Sequence, residues 1–376
     1  MPKLSLSNHV ANRTSMFDVS IVGGGPAGSA AAISCCQRGL SVVIVDEHSL
    51  GDCSLAPGEA LHPAMERLFL ALGVDLQINQ AKFLRHLGHS IESRGKRNLQ
   101  AFGSGDSGPW KGYLVDRSKM HKILLEEAAR CGARVLRGTR AIRPILRAGL
   151  VTGVITSNGQ YESRFVLDAS GHRSWLGRHL NLESVQVSPR LIARFGWLQP
   201  IAPRCEEEPL PRFWMGRAGW EWSAPIREDC YAWVRLNLFG AATGERAHRV
   251  PREKGYPIGT AGARDVTWRI VPRCAGPGYF LIGDAAWVLD PACSHGVLKA
   301  TLSAMTAAEA IATAPHPPER AYCGWMRDWF CSDAAALIEL YSQASSPAPW
   351  LQSAREGVRR MARIPSLQAF SISPRE

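Results

Sequence analysis

Three glycines at positions 23, 25 and 28, with an acid at 46, are the residues whose types and spacing most plainly imply chemistry. They lie in Asp18 to Glu47, DVSIVGGGPAGSAAAISCCQRGLSVVIVDE. In this GxGxxG spacing Gly23 allows a tight turn, Gly25 lets backbone approach a pyrophosphate, and Gly28 permits close helix-to-strand packing. The following helix N-terminus offers free N–H groups and positive dipole to phosphates. Asp46 stands 18 residues past Gly28, where a carboxylate accepts hydrogen bonds from an adenosine ribose. The pattern implies a bound dinucleotide and leaves NAD and FAD both open.

Other residues of chemical interest sit at the ends of apolar runs. Arg117 follows Asp116 at a strand-to-helix junction, either as a solvated charge or reaching cofactor phosphate or ribityl oxygens. Asp168 ends a strand beside Ala169, Ser170 and Gly171, the place where open α/β sheets bind ligands. Asp284 follows the apolar run Tyr279 to Ile282, and the next loop, Asp290 to Gly296 (DPACSHG), aims backbone N–H groups at whatever it faces. Within it His295 either moves protons or orders the loop, and Cys293 is either reactive or a packed thiol. Glu59 either positions substrate or caps the helix it precedes.

The elements that must position these groups are legible from periodicity. Val19 to Val22 and Val42 to Val45 read as strands flanking a helix, a βαβ unit. From Pro63 onward Met65, Leu68, Phe69 and Leu72 fall at helical spacing, after a loop marked by Pro57 and Gly58. Leu84 to Phe102 suggests a pair of strands from a second domain. Ser118 is placed to cap a helix carrying Met120, Ile123, Leu124 and Ala128, which Gly132 terminates before the strand Arg134 to Leu136. Asn158 and Gly159 turn a hairpin within Gly149 to Asp168. Leu191 to Leu238 alternates in the manner of an antiparallel sheet and holds Trp197, Trp214, Trp220, Trp222 and Trp233, which either fill a core or line an aromatic pocket. Helices follow the breaker Pro315 to Pro318 and end in the basic stretch Arg355 to Arg363.

Composition bounds the function classes. At 376 residues the chain exceeds one ordinary core, which implies two or three domains. Hydrophobic residues at 45% and charged residues at 20% fit a soluble globular protein. The net charge of +11 is scattered rather than gathered in a run, so solvated faces are favoured over nucleic acid, and an acidic protein or anionic cofactor remains compatible. Ten cysteines without a CxxC give no metal pattern and suggest reduced thiols in a cytoplasmic enzyme. No apolar run approaches the roughly 18 residues of a spanning helix, so no membrane partner is expected. Met1 to Met16 is polar and reads as an unstructured lead-in.

Taken in order, GGGPAG with Asp46, VDR at Asp116 and Arg117, and IGDAA at Ile282 to Ala286 resemble the FAD-dependent class A monooxygenase superfamily, which includes the flavin-dependent tryptophan halogenases and the geranylgeranyl reductases. The resemblance implies an α/β fold: a Rossmann-like FAD-binding domain of glutathione-reductase type, an inserted antiparallel-sheet substrate domain and a small C-terminal helical region. It apportions residues 1–82, 113–183 and 276–314 to FAD binding, 83–112 and 184–275 to the substrate domain, and 315–376 to the helical region. It further implies that Gly23, Gly25, Gly28 and Asp46 hold the ADP part of FAD, that Arg117 approaches the cofactor, that Asp284 accepts from the ribityl chain, and that Pro291, Ser294 and Gly296 lie by the isoalloxazine ring. DASG at Asp168 to Gly171 departs from the usual DG pair of the third motif, which leaves the binding of a nicotinamide cofactor open.

Gly58, Glu59 and Pro63, with Trp220, Trp222 and Pro225 resembling the halogenases' WxWxIP, pull toward the halogenase-like branch. The reactive parts depart from it. Cys293 and His295 stand where the halogenase loop EPxESTG has Glu and Thr, and Arg85 to Ser93 lacks the catalytic lysine, with Lys82 and Lys96 only flanking. A halogenase-like body without halogenase residues resembles the flavoproteins that hydroxylate a protein-bound tryptophan in the maturation of tryptophan-derived quinone cofactors, such as the cysteine tryptophylquinone of quinohemoprotein amine dehydrogenase. That implies FAD, O2 and either NADH, NADPH or a partner flavin reductase, a C4a-hydroperoxide as oxidant, His295, Glu59 and Cys293 as candidate catalytic groups, and Trp220 and Trp222 as pocket walls. The alternatives are a flavin-dependent halogenase or reductase acting on a small molecule, and a non-catalytic FAD-binding assembly factor.

Overall fold

The structure is a computed structural model and describes residues 16–49, 58–93, 95–106, 108–201, 209–239, 255–313 and 318–364. The N-terminal lead-in up to residue 15, the loop around Pro57 and part of the Pro315 to Pro318 breaker lie outside the described residues.

In chain order the elements that build the site are β1 (Phe17–Val22), α1 (Pro26–Cys36), β2 (Val42–Val45), β3 (Glu59–Leu61), α2 (Met65–Ala71), α3 (Asp75–Gln80), β4 (Leu84–His86), β5 (Gly88–Ser93), β6 (Lys96–Ala101), β7 (Gly112–Val115) and α4 (Arg117–Arg130). Then come β8 (Arg134–Leu136), β9 (Ala141–Arg147), β10 (Leu150–Thr156), β11 (Gly159–Asp168), α5 (Trp175–His179), β12 (Ile192–Pro200), β13 (Arg212–Met215), β14 (Gly219–Arg227), β15 (Cys230–Asn237), β16 (Gly255–Asp265), β17 (Tyr279–Leu281), α6 (Gly296–Thr313), α7 (Glu319–Ser342) and α8 (Trp350–Ala362).

The first sheet runs β8-β2-β1-β11-β10-β9, with β17 also on β11. β8, β2, β1, β11 and β17 pair in parallel, whereas β9, β10 and β11 form an antiparallel meander. Strands β1 and β2 are buried along most of their length, which is why they read as continuous apolar runs. Helix α1 starts with Pro26 and is built from small residues, so it lies buried against α4 and α6 as well as the sheet. A Cβ on Gly28 would stand 1.9 Å from the Gly23 carbonyl oxygen, so close packing of helix on turn demands glycine there.

The second sheet has seven strands, β16-β12-β15-β14-β13-β5-β6. All its neighbours are antiparallel except β13 and β5, which pair in parallel from Arg212 on Ser90 to Met215 on Ser93. The expected strand pair in Leu84 to Phe102 is therefore β5 and β6, while β4 joins β3 and β7 in a small third sheet. Beyond them α7 packs on α8.

Two local expectations are corrected. Asp116, not Ser118, caps α4: its Oδ1 accepts from the Ser118 and Lys119 amides at 2.9 and 3.3 Å, because the strand ends one residue earlier than the Ser118 cap requires. Glu59 caps no helix. It lies on β3, paired with Val115 of β7, and α2 begins six residues later without a side-chain cap.

Candidate functional site

A cavity of about 1130 Å³ runs between the two large sheets. It exceeds the ordinary range of about 300–1,000 Å³ for ligand sites, room enough for a dinucleotide and a second molecule.

At one end lie the β1–α1 turn and Asp46. Gly23 has φ +103°, and a Cβ there would meet the Ala169 carbonyl oxygen at 2.5 Å. A Cβ on Gly25 would meet nothing within 4 Å, so the turn presents bare backbone to the cavity at the helix N-terminus. Asp46 is buried, and its Oδ1 accepts from the His48 amide at 3.2 Å. Its Oδ2 is buried with no partner among the described residues. An orphaned carboxylate oxygen beside a turn of free amides is the donor and acceptor set that the ribose and pyrophosphate of FAD require. The residues present fit the cofactor.

Midway along, Arg117 and Glu59 form an ion pair, Nη1 to Oε1 at 2.9 Å, and both line the cavity. Glu59 therefore enters the site as the anchor of Arg117 rather than as a free carboxylate. Asp284 faces the cavity, and its Oδ1 accepts from Lys299 Nζ at 2.6 Å. The Lys299 ammonium is buried, also donates to the Trp287 carbonyl at 2.7 Å, and sits 4.0 Å from the Trp287 ring centroid. Burial alone would raise the Asp284 carboxyl, but Lys299, with Arg264 and Arg117 farther off, holds it below the usual carboxylate range. Asp284 is thus an anion ready to accept a hydroxyl hydrogen bond. Asp168, by contrast, is spent on the fold: its oxygens accept from the Ser170 and Leu176 amides at 2.9 and 2.7 Å, while Ala169 to Arg173 line the cavity.

The loop expected beside the flavin is a single 3-10 turn, Pro291–Cys293, with Asp290 as its cap and Ser294 at φ +54°. Pro291, Cys293, Ser294 and Gly296 line the cavity; His295 is not among the lining residues. Its Nδ1 lies 2.9 Å from Asp333 Oδ2 on α7, and its ring is edge-on to His62 at 6.2 Å. Burial pushes the Cys293 thiol up to about 12, so at neutral pH it is an unionised thiol without nucleophilic character. Asp290 is fully buried. Its Oδ1 accepts from Tyr341 Oη at 2.6 Å and the Ala292 amide at 3.0 Å, and its Oδ2 from Trp268 Nε1 at 2.8 Å. Burial pushes its carboxyl up to about 6 against the pull of these bonds. Tyr341 Oη in turn accepts from Trp220 Nε1 at 2.8 Å, so one network joins the loop to the sheet wall.

That wall is the inner face of the seven-stranded sheet. Ile91, Phe213, Trp222, Val234 and Phe195 stand in register across β5, β13, β14, β15 and β12, and all line the cavity. Trp220 lines it too, although its N–H is spent on Tyr341. Trp197, Trp214 and Trp233 do not; Trp214 and Trp233 fall on the alternate face, and Trp214 is exposed. Lysine occurs among the lining residues only at 299, so neither Lys82 nor Lys96 reaches the cavity. Among the described residues no metal-ligating cluster occurs, and no helix is long and apolar enough to cross a membrane. The eight described cysteines are free thiols, Cys274 and Cys323 lying 3.8 Å apart.

Sequence reasoning missed Lys299, Arg264 and His89. Lys299 carried a usable signal, the lone cation of a helix rich in small residues; the other two carried none.

The FAD binding domain family model matches residues 16–228, more than half of the chain. The chain belongs to this family. It is one of FAD-dependent oxidoreductases, and the cradle described above has the donors and acceptors that FAD needs. A tryptophan 2-halogenase of Chondromyces crocatus is 26% identical over 78% of this chain and 60% of its own length, so this chain spans less than two thirds of that relative. A digeranylgeranylglycerophospholipid reductase of Thermoplasma acidophilum is 26% identical over 86% of this chain and 88% of the reductase. The solved structure of the myxobacterial chondrochloren halogenase superposes with a TM-score of 0.79 at 21% identity, over 92% of this chain and 88% of that one, which shows the shared fold.

Proposed function

We propose that this family member is an FAD-dependent monooxygenase that hydroxylates an indole-type aromatic ring, and that the ring is a tryptophan side chain borne by a peptide or protein, as in quinone cofactor maturation. The observation that carries the reading is the row Ile91, Phe213, Trp222, Val234 and Phe195, an apolar wall lining the same cavity as Pro291, Cys293, Ser294 and Gly296. The strands β5, β6 and β12–β15 contribute no charged side chain to that wall, so the carboxylate and ammonium of a free amino acid would find no partner on it. Strand β6 is exposed throughout, which lets a ring enter while its carrier stays in solvent.

When bound and reduced, FAD supplies the activation of dioxygen; NADH, NADPH or a partner reductase supplies its two electrons. One oxygen atom enters the ring in place of hydrogen and the other leaves as water. This chain's own residues hold the cofactor at Asp46, Arg117 and Asp284, keep water from the ring with the apolar row, and fix the loop through Asp290. Halogen transfer is disfavoured by the state of the cavity's lysine, whose ammonium is committed to Asp284 and Trp287.

The test incubates FAD-loaded protein with NADH, NADPH or an added flavin reductase, isotopically labelled dioxygen, chloride, bromide and a tryptophan-containing peptide. Mass spectrometry should find one or two labelled oxygen atoms in the peptide. Halogenated peptide, a reduced double bond in a prenyl substrate, or hydrogen peroxide as the sole product would overturn the reading. Following the visible spectrum during anaerobic NADH or NADPH addition tells a self-sufficient enzyme from one served by a reductase.

A further inference from the structure

At one end of the apolar row the chemistry of the wall changes. His89 and Gln100 are direct cross-strand partners on β5 and β6, so their side chains share a face, two residues along β5 from Ile91. Both line the cavity, and they are the polar side chains that β5 and β6 contribute to it. The His89 ring is clamped edge-on by His86 at 5.4 Å and by Phe102 at 5.6 Å, and Phe102 also packs edge-on against His86 and His62. Such a clamp fixes the direction in which the ring nitrogens point. Among the described residues neither His89 nitrogen has a hydrogen-bond partner, unlike His86, whose Nδ1 is 2.8 Å from the Gly88 carbonyl.

We propose that His89 is the specificity-determining residue of the cavity, its imidazole accepting the ring N–H of an indole-type substrate whose body lies along Ile91, Phe213 and Trp222, with Gln100 beside it at the mouth. The assignment rests on the reading of the site as an indole pocket.

Three observations support it. An oriented ring without a protein partner has hydrogen-bonding capacity to offer a ligand. Burial, then the neighbouring His86 and His62, pushes the His89 imidazole down to about 4, so it is a neutral ring with an acceptor nitrogen at any working pH. The apolar row itself carries no acceptor, so an indole N–H lying along it is paired only if a neighbouring polar group accepts it.

Binding of 3-methylindole and of 3-methylbenzothiophene, which has the same shape without the N–H, is measured by calorimetry on the FAD-loaded protein. The indole should bind about tenfold more tightly to the native protein. His89→Leu should abolish the difference by weakening the indole alone, and His89→Gln, which keeps an acceptor, should retain part of it. Melting temperature and FAD affinity check that the variants are folded. Equal binding of the two probes to the native protein, equal weakening of both by His89→Leu, or binding of neither would overturn the assignment. Failure of the proposed reaction is distinguishable: a tenfold preference without oxygenated product refutes the reaction and upholds the assignment, whereas oxygenated product without a preference does the reverse.

Discussion

Replacing Tyr341 by Phe removes a single oxygen from a buried network and leaves the packing volume unchanged. Trp220 Nε1 then loses its acceptor and Asp290 Oδ1 loses one of two donors, in a place where all three side chains are buried. An unpaired buried N–H costs about 1–3 kcal/mol, and a hydrogen bond to a charged group contributes about 1.5–3 kcal/mol, so the variant should be less stable by about 3–5 kcal/mol at pH 8. At about 2–4 °C per kcal/mol this is a drop of about 6–20 °C in melting temperature.

The penalty carries a pH signature. Asp290 titrates near 6 in the fold, raised from 3.8 by burial, so the fold holds a proton that the unfolded chain has released between those values. Stability from this group is fully present below 3.8 and lost as pH rises through 6. Below pH 6 the Tyr341 bond is made to a neutral acid and is worth less. The difference between Tyr341→Phe and native protein, measured by denaturant unfolding, should therefore shrink at pH 5 relative to pH 8. A Tyr341→Phe variant within about 0.5 kcal/mol of native at pH 8, or a difference that grows on acidification, would refute the reasoning.

Asp284→Asn should destabilise the protein by about 3 kcal/mol and weaken FAD binding, because it strips the buried Lys299 ammonium of its counter-charge. Lys299→Met should cost less, since the Asp284 carboxylate it releases faces the cavity; unfolding curves giving the opposite order would contradict the pairing. Cys293, its thiol near 12, should resist iodoacetamide at pH 7.5 in folded protein and react after denaturation, as read by peptide mass spectrometry. Rapid modification in the native state would show a thiolate there.

What the sequence revealed follows from how local each cause is. The β1-α1-β2 unit and the hairpin of β10 and β11 are specified by residues within about thirty positions of each other, so glycine spacing and alternation were sufficient. Strand β3 was illegible because its three residues become a strand only on meeting β7, some fifty positions on, and Glu59 accordingly looked like a helix cap. Asp116 and Ser118 are both good caps by type, and only the end of β7 chooses between them. The grouping of His62, His86 and His89 around Phe102, with His295 edge-on to His62, joins separated parts of the chain, and no period of 2 or 3.6 marks such an assembly. His295 drew notice because it sits in the loop motif, yet its ring turns to Asp333, which lies on α7, 38 residues away.

The seven-stranded sheet is assembled from two stretches of chain that meet at the parallel seam of β5 and β13, four residues long. Everything on one side of that seam, from β13 to β16, carries the aromatic wall, while the hairpin of β5 and β6 carries His89 and Gln100. A hairpin joined so sparingly can be exchanged or lengthened while the flavin cradle and the Asp290 network stay as they are. On the reading proposed above, substrate preference and oxidative chemistry reside on pieces of chain that inheritance can alter one at a time, and a graft of this hairpin would test that division.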